Sequence, residues 1–416
     1  MSSAIHVFEK EDFSKHHLVT LPSTPNESLG PSSLRLKTRI LGQTTNNLTY
    51  AKLGFAVGWW DVYPIPEHAP APYNDRSKYA TIAGWGYAEV LESTVANVPV
   101  GASVFGYLYI GTGIWDVCVE KAECEGQYLV KNAHRQHLWK VYNRLSVREP
   151  LYESDKTKED IIKLDSLGWD ALMEVLFGTG YNLSTYGFAW EDRDRIHPNG
   201  ETRWGIDDTE LKDSMVVVLN ASGKTGMSFA YALRHNRPKD CQPKMVVGVG
   251  SEKSLALLKQ CEFYDEILLN EDAEKAKELT GRATPNRVLL FNFGARPGAM
   301  TSYTSALSDI GPAVPLTCFF VGGDNRPAKA QDVMGELAKR GEGVQVNANT
   351  LREKGIEISG GAYFERFDEV WDDFKKQGAI KGTTLVWRKG MTEWEKGWEA
   401  FCRDEVRGDE GRVYTL

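Results

Sequence analysis

Residues 216–233 read VVVLNASGKTGMSFAYAL, an apolar run that passes through small and polar residues directly into a helical pattern. A turn of this kind suits an anion for a physical reason. The first amides of a helix have no partner within it, the helix dipole adds partial positive charge, and small residues let a phosphate approach the backbone. Gly223 and Gly226 match the last two glycines of a dinucleotide fingerprint, while Asn220 stands where its first glycine belongs. The triplet Gly223-Lys224-Thr225 also matches part of a nucleoside-triphosphate loop. That loop needs a glycine five residues before Gly223, and Val218 stands there. A plain packing turn is the other reading of the same residues.

Outward from this turn the texture repeats. Apolar runs at 215–219, 245–249, 266–269, 287–293 and 316–323 alternate with the helical patterns SFAYALRH, SLALLKQC, TSYTSAL and AQDVMGELAKR. Short buried runs alternating with helices predict an α/β unit with a doubly wound parallel sheet. Ahead of it, DALMEVLFGTGYNLSTYGFA (170–189) has apolar residues at helical spacing and is followed by a polar loop, 191–213.

From about Arg35 to Val119 the chain reads differently, as short strands LRLKTRIL, TYAKLGFAVG, GWGYAEVLEST and GASVFGYLYIG broken by glycine and proline. This predicts a small β-rich, barrel-like unit, with Tyr50 on a strand. Residues 121–160 show no clear period. The stretch from Phe364 to Trp398 reads as partly helical and the closing RVYTL as a strand.

In a dinucleotide site the end of the second strand selects the cofactor, since a carboxylate there binds the ribose hydroxyls of NAD and repels a 2′-phosphate. Here the strand ends Gly248-Val249-Gly250-Ser251, followed by Glu252-Lys253. Ser251 and Lys253 are therefore expected to contact the 2′-phosphate of NADPH, although Lys253 reads equally well as a solvated first-turn residue. Ser222, Gly223, Lys224, Thr225 and Gly226 are expected to hold the other phosphates. The strand ends at Phe291–Gly294 and Phe320–Gly323 face the same side, so Phe293, Val321 and Gly322 are candidates for ribose and nicotinamide contacts.

Composition narrows the function classes. The 416 residues are 42% hydrophobic and 25% charged, with a net charge of −8 and no basic block, which argues against nucleic acid or an anionic membrane surface as partner. Charges at Glu9, Lys10, Glu11 and Asp12 interrupt any leader-like run, and no apolar stretch is long enough to span a bilayer. The expected setting is the cytosol and the expected partner a small molecule. Six cysteines without a CxxC pair read as reduced thiols.

A β-rich unit followed by this α/β unit resembles the medium-chain dehydrogenase/reductase superfamily, in particular its quinone-oxidoreductase and enoyl-reductase branch. The ordered motifs TTNNLTYAKLG, GWWDVYP, GWGYAEV, VFGYLYIG, LFGTGYNL and NASGKTG (between 44 and 226) are similar to a related microbial domain family of unknown function. The resemblance implies a GroES-like substrate domain over 1–165, completed by about 377–416, and a Rossmann domain over 166–376. It also implies a homodimer as a possible assembly. Zinc-dependent members carry Gly-His-Glu where this chain has Gly84-Trp85-Gly86-Tyr87, so no zinc is expected; His134 and His137, three apart, lack a third ligand.

Without a metal, reduction of a polarised C=C or C=O needs a hydride from the nicotinamide and a proton or hydrogen bond from a side chain. Relatives place an asparagine and a tyrosine in a comparable loop, which implies Asn46 and Tyr50 as the catalytic pair, with Asn47 beside them. Trp59, Trp60 and Asp61 form a second cluster, and Tyr181 and Tyr186 are weaker candidates for the cleft; core packing explains each as well. The first reading is an NADPH-dependent reductase of an enone, quinone or related carbonyl compound in specialised metabolism. A lyase, isomerase or cyclase on the same fold, or a non-catalytic dinucleotide-binding protein, stays open because Asn220 and Lys224 depart from the usual turn.

Overall fold

The computed structural model describes residues 3–416 apart from 24, 26, 152–157, 325 and 327–342. The predicted helix AQDVMGELAKR lies outside the described residues.

The first half builds antiparallel sheet. Strands β1 (Ser3–Glu9), β2 (His16–Leu21), β3 (Ser33–Gln43), β4 (Tyr79–Ala80), β5 (Ala83–Ser93), β6 (Ser103–Tyr109), β7 (Ile114–Lys121), β8 (Gln127–Val130) and β9 (Arg144–Arg148) alternate with turns. They sort into a small sheet, β2-β1-β4, and a larger one in which β3-β5-β6-β9-β8-β7 returns to pair with β3. That return closes a barrel, which leaves no unpaired edge among its six strands. Strands β8 and β9 fall in the stretch that showed no period, because strands of four and five residues are too short to display one.

One expected strand is a helix. TNNLTYAKLGFAV forms α1 (Thr45–Val57), not a strand of the barrel. Thr44 caps it: its Oγ1 accepts from the Asn46 amide at 3.2 Å, and Asn47 Oδ1 accepts from the Thr44 amide at 2.8 Å. This reciprocal cap fixes the start, and Gly58 at φ +80° ends it. Asn47, Tyr50, Ala51 and Gly54 are buried at helical spacing. The residues around Tyr50 thus follow the helical period and not the alternation expected of a strand.

The helix α2 (Lys158–Asn182) leads to the second sheet. It contains β10 (Ser214–Leu219), β11 (Met245–Gly250), β12 (Glu266–Leu269), β13 (Arg287–Phe293), β14 (Leu316–Gly322) and the short β15 (Val344–Gln345). All pairs are parallel, in the order β12-β11-β10-β13-β14-β15. The helices α3 (Lys224–His235), α4 (Leu255–Cys261), α5 (Ala273–Ala283) and α6 (Ala299–Ser308) connect the strands, and two separate apolar clusters bury the two faces. Sequential order reverses between β10 and β13. Ligands of open parallel sheets bind at that point, beyond the carboxyl ends of the strands.

After α7 (Ala348–Ser359) and α8 (Gly361–Lys376), the chain returns to the barrel. Strand β16 (Thr384–Lys389), helix α9 (Met391–Cys402) and β17 (Glu410–Thr415) follow, and β17 pairs antiparallel with β3. The helix α2 lies between the two sheets. Gly42 of β3 lets it approach the barrel, since a Cβ there would stand 2.2 Å from the Ala171 carbonyl oxygen; Gly180 does the same for α3, 2.5 Å from the Phe229 amide nitrogen. One helix thus touches the barrel directly and meets the second sheet's layer through α3.

Candidate functional site

The turn between β10 and α3 is built around Asn220, whose φ is +58°. Asparagine is among the few residues with a side chain that take this left-handed conformation readily. Its amide Nδ2 donates to the carbonyl oxygen of Phe293 at 3.0 Å, tying the β10 turn to the end of β13 across the switch point. Asn220 therefore serves where the fingerprint has glycine, and adds a hydrogen bond a glycine cannot make.

Around it the backbone is crowded. A Cβ on Gly223 or on Gly226 would come 3.1 Å from the Asn220 carbonyl oxygen. Gly223 is the N-cap of α3 and, lacking a side chain, leaves the first-turn amides without a cap. Tyr264 Oη supports the turn from below by donating to the Ala221 carbonyl at 2.7 Å. Ser222, Lys224 and Thr225 are half-buried. The Lys224 ammonium makes no ion pair or hydrogen bond among the described residues, and burial pushes its pKa down to about 8. Uncapped amides and an unneutralised cation at one helix start are what a phosphate group would satisfy.

At the end of β11 the Ser251 amide donates to Ser254 Oγ at 3.0 Å, and the Ser251 hydroxyl is half-exposed. Lys253 is exposed and unpaired among the described residues, next to the exposed Glu252. The ends of β13 and β14 meet the turn. Asn292 Oδ1 accepts from the amides of Gly294 and Ala295, at 2.9 and 2.8 Å. Gly294, at φ +92°, packs so closely that a Cβ would lie 2.5 Å from the Gly323 carbonyl oxygen and 3.8 Å from Asn220 Nδ2. Phe293 is buried, while Val321 and Gly322 are half-exposed beside this junction.

Asn46 and Tyr50 come together on α1. Asn46 Nδ2 donates to Tyr50 Oη at 2.6 Å, and Trp85 Nε1 on β5 donates to the same oxygen at 2.8 Å. The phenol is buried among Trp59, Tyr107 and Tyr142, with ring centroids 4.8, 5.0 and 6.1 Å away. Burial pushes its pKa up to about 12, against the opposing pull of Trp85, Asn46 and Tyr142. A cavity of about 10 Å³ lined by Thr44, Asn46, Tyr50, Trp85 and the 171–176 stretch of α2 opens beside it. It has room for about one water. Two residues beyond Tyr50, the Lys52 ammonium donates to the Asp324 carbonyl at 2.7 Å, linking α1 to the segment that follows β14.

The remaining candidates disperse. Asn47 is spent on the cap of α1. Trp59 packs on Tyr50, whereas Trp60 points to Phe8 and lies under Lys10, and Asp61 is exposed. Tyr181 and Tyr186 are buried with Tyr363 and Phe367 in the helical layer. His134 Nε2 lies 3.1 Å from the Val62 carbonyl oxygen, and His137 packs against Gly58. Among the described residues no three His, Cys, Asp or Glu side chains are grouped to hold a metal ion. Trp85 and Lys52 escaped the sequence reading. The sequence marks Trp85 only as standing where zinc-dependent relatives carry a ligand, and nothing in the pattern around Lys52 marks it.

A family model described as "Protein of unknown function (DUF2855)" matches residues 41–407. The chain belongs to that family. No curated protein matches this DUF2855 chain in sequence. Among solved structures it is similar to CurA from Vibrio vulnificus in complex with NADPH, with 14% identity, 99% of each chain covered and a TM-score of 0.53. It is similar also to a mutant form of the enoyl thioester reductase from Candida tropicalis and to an Etr1p/NADP/crotonyl-CoA complex, each with 11% identity over the whole of both chains and a TM-score of 0.54. At these identities the likeness is one of fold. The fold shared is a GroES-like barrel with a Rossmann domain, as the sequence leads one to expect.

Proposed function

We propose that the protein is a zinc-independent, NADPH-dependent reductase that acts on an enone, quinone or related carbonyl compound of specialised metabolism in the cytosol. The observation that carries this reading is the Tyr50 hydroxyl, held by two donors on a helix that Lys52 links to the carboxyl end of β14. In this reading Tyr50 is the acid on the substrate domain and works beside the carboxyl edge of the sheet, where a dinucleotide would bind. The NADPH and NADP named with two structures of the same fold support the choice of cofactor.

In this reading the uncapped amides of α3, with Ser222, Gly223, Lys224, Thr225 and Gly226, hold the diphosphate. Ser251 and Lys253 hold the 2′-phosphate, and Phe293, Val321 and Gly322 border the ribose and nicotinamide. The bound cofactor would supply the hydride. Tyr50 gives a proton to the oxygen or carbon of the substrate that becomes negative, its O–H bond breaking as the new bond forms, and water then restores the phenol. Asn46 keeps the phenol in place. The division into 1–165 with about 377–416, and 166–376, is the corresponding proposal for the substrate and cofactor domains. With about one water's room beside Tyr50, the cleft has to widen before a substrate enters.

The reading is tested by following absorbance of NADPH mixed with the protein and a panel of enones and quinones. Protein-dependent oxidation, undiminished by a chelator, is the expected result; no oxidation across the panel, with NADPH shown to be bound, would point to a non-redox reaction.

A further inference from the structure

The Tyr50 oxygen has one hydrogen and two acceptor positions. Asn46 Nδ2 at 2.6 Å and Trp85 Nε1 at 2.8 Å fill both acceptor positions. The phenolic hydrogen therefore has to point away from both donors, which leaves the Tyr142 hydroxyl, the third polar group that bears on this oxygen, to accept it until the phenol gives it up. The two donors differ in rigidity. Asn46 is half-buried in the first turn of α1, and its amide can turn over and present an acceptor instead. An indole N–H only donates.

Trp85 is moreover held by its aromatic neighbours. It pairs with Tyr107 in the register of β5 and β6, and its ring lies 5.1 Å from that of Tyr107, 6.0 Å from Tyr142 and 6.3 Å from Phe105. In this buried surrounding a single aligned N–H counts for more than it does in water. Packing alone does not require the contact, since another indole of the barrel, that of Trp115 on β7, has a buried N–H with no hydrogen-bond partner among the described residues.

Resting on the reading of Tyr50 as the acid, we infer that Trp85 is a positioning residue for it: the indole N–H sets the direction of the phenolic proton and then holds the phenolate. The balance is simple. The Tyr50 O–H bond breaks as the proton passes to the substrate atom made negative by hydride, the charge left on Tyr50 Oη is shared with Trp85 and Asn46, and a proton from water restores the phenol. Trp85 neither gains nor loses a proton.

The experiment is a double-mutant cycle of Trp85→Phe and Tyr50→Phe. It is read as single-turnover oxidation of bound NADPH by cyclohexenone, with NADPH affinity and thermal melts measured on each variant. Trp85→Phe should slow the step about 10-fold in the wild-type background, as expected for one hydrogen bond to a developing charge. In the Tyr50→Phe background, where no oxygen is left to hold, it should change nothing. Equal slowing in both backgrounds overturns the inference while leaving Tyr50 as the acid. A wild-type rate in Tyr50→Phe overturns the underlying reading and the inference together.

A second measurement needs no turnover. In protein carrying 15N in its twelve tryptophans, the Trp85 indole signal, assigned as the one that Trp85→Phe removes, should shift and exchange faster in Tyr50→Phe. A Trp85 signal untouched by loss of the phenol contradicts the inference even if no substrate is found.

Discussion

Asn46 and Tyr50 stand one turn apart on the same helix, and the amide of the first donates to the phenolic oxygen of the second at 2.6 Å. If that pair is the acid and its support, Tyr50→Phe slows hydride transfer by about 10² to 10⁴ with NADPH affinity nearly unchanged. Asn46→Ala slows the same step, and the double variant is less impaired than the product of the two single effects. Single-turnover kinetics with melts alongside decide the matter. A lower melting temperature with unchanged rate in Tyr50→Phe assigns the phenol to packing instead.

The end of β11 at Gly250 carries no carboxylate, and Lys253, unpaired among the described residues, lies three residues beyond it. NADPH is therefore expected to bind about 10- to 100-fold tighter than NADH, the span of one or two charge-assisted hydrogen bonds. Lys253→Ala should remove most of that difference by weakening NADPH alone. Titration of both cofactors into both proteins checks it, and equal affinities in the wild type exclude the assignment of Ser251 and Lys253.

Burial lowers the pKa of Lys224 to about 8. A bound diphosphate favours its charged form, so NADPH affinity should fall as the pH rises through about 8 and the free protein loses that proton. Lys224→Met should bind less tightly at neutral pH and show little slope above it. The comparison is made between about pH 7 and 9.5, where the phosphates of the cofactor no longer titrate. An identical slope in the variant shows that Lys224 does not face the phosphates.

Glu174 on α2 is buried, and burial pushes its pKa up to about 7, with Asp170 and Asp368 adding to the rise and Arg148 and Arg352 opposing it. The unfolded chain releases this proton near pH ~4.3. Between those values the folded state binds more protons than the unfolded one, so this group's contribution to stability falls as the pH rises. Glu174→Gln should flatten that decline. Its melting temperature relative to wild type should rise by on the order of a few degrees from pH 5 to pH 8, and a constant offset across that range contradicts the assignment.

The second half of the chain was legible because a parallel sheet buried on both faces writes each strand as an unbroken apolar run, and Met215–Leu219 is the plainest case. The helix α1 departs from the strand expected there because the alternation leading into Tyr50 resembles that of a strand, whereas the deciding signal is local: Thr44 followed three residues later by Asn47, a polar pair able to cap. Asn220 reads as a defect in the fingerprint because neither its positive φ nor its bond to Phe293 is written in the local sequence, the second being a tertiary contact 73 residues away. For the same reason the donor from Trp85 to Tyr50, 35 residues apart, had no signature in spacing.

The central claim is that the turn from Asn220 to Gly226 holds a phosphorylated dinucleotide. Calorimetric titration of NADPH into the purified protein tests it most directly: one NADPH bound per chain, with Lys224→Met and Lys253→Ala each weakening it, is the predicted result, and no heat of binding or cofactor retention at millimolar NADPH would contradict the account.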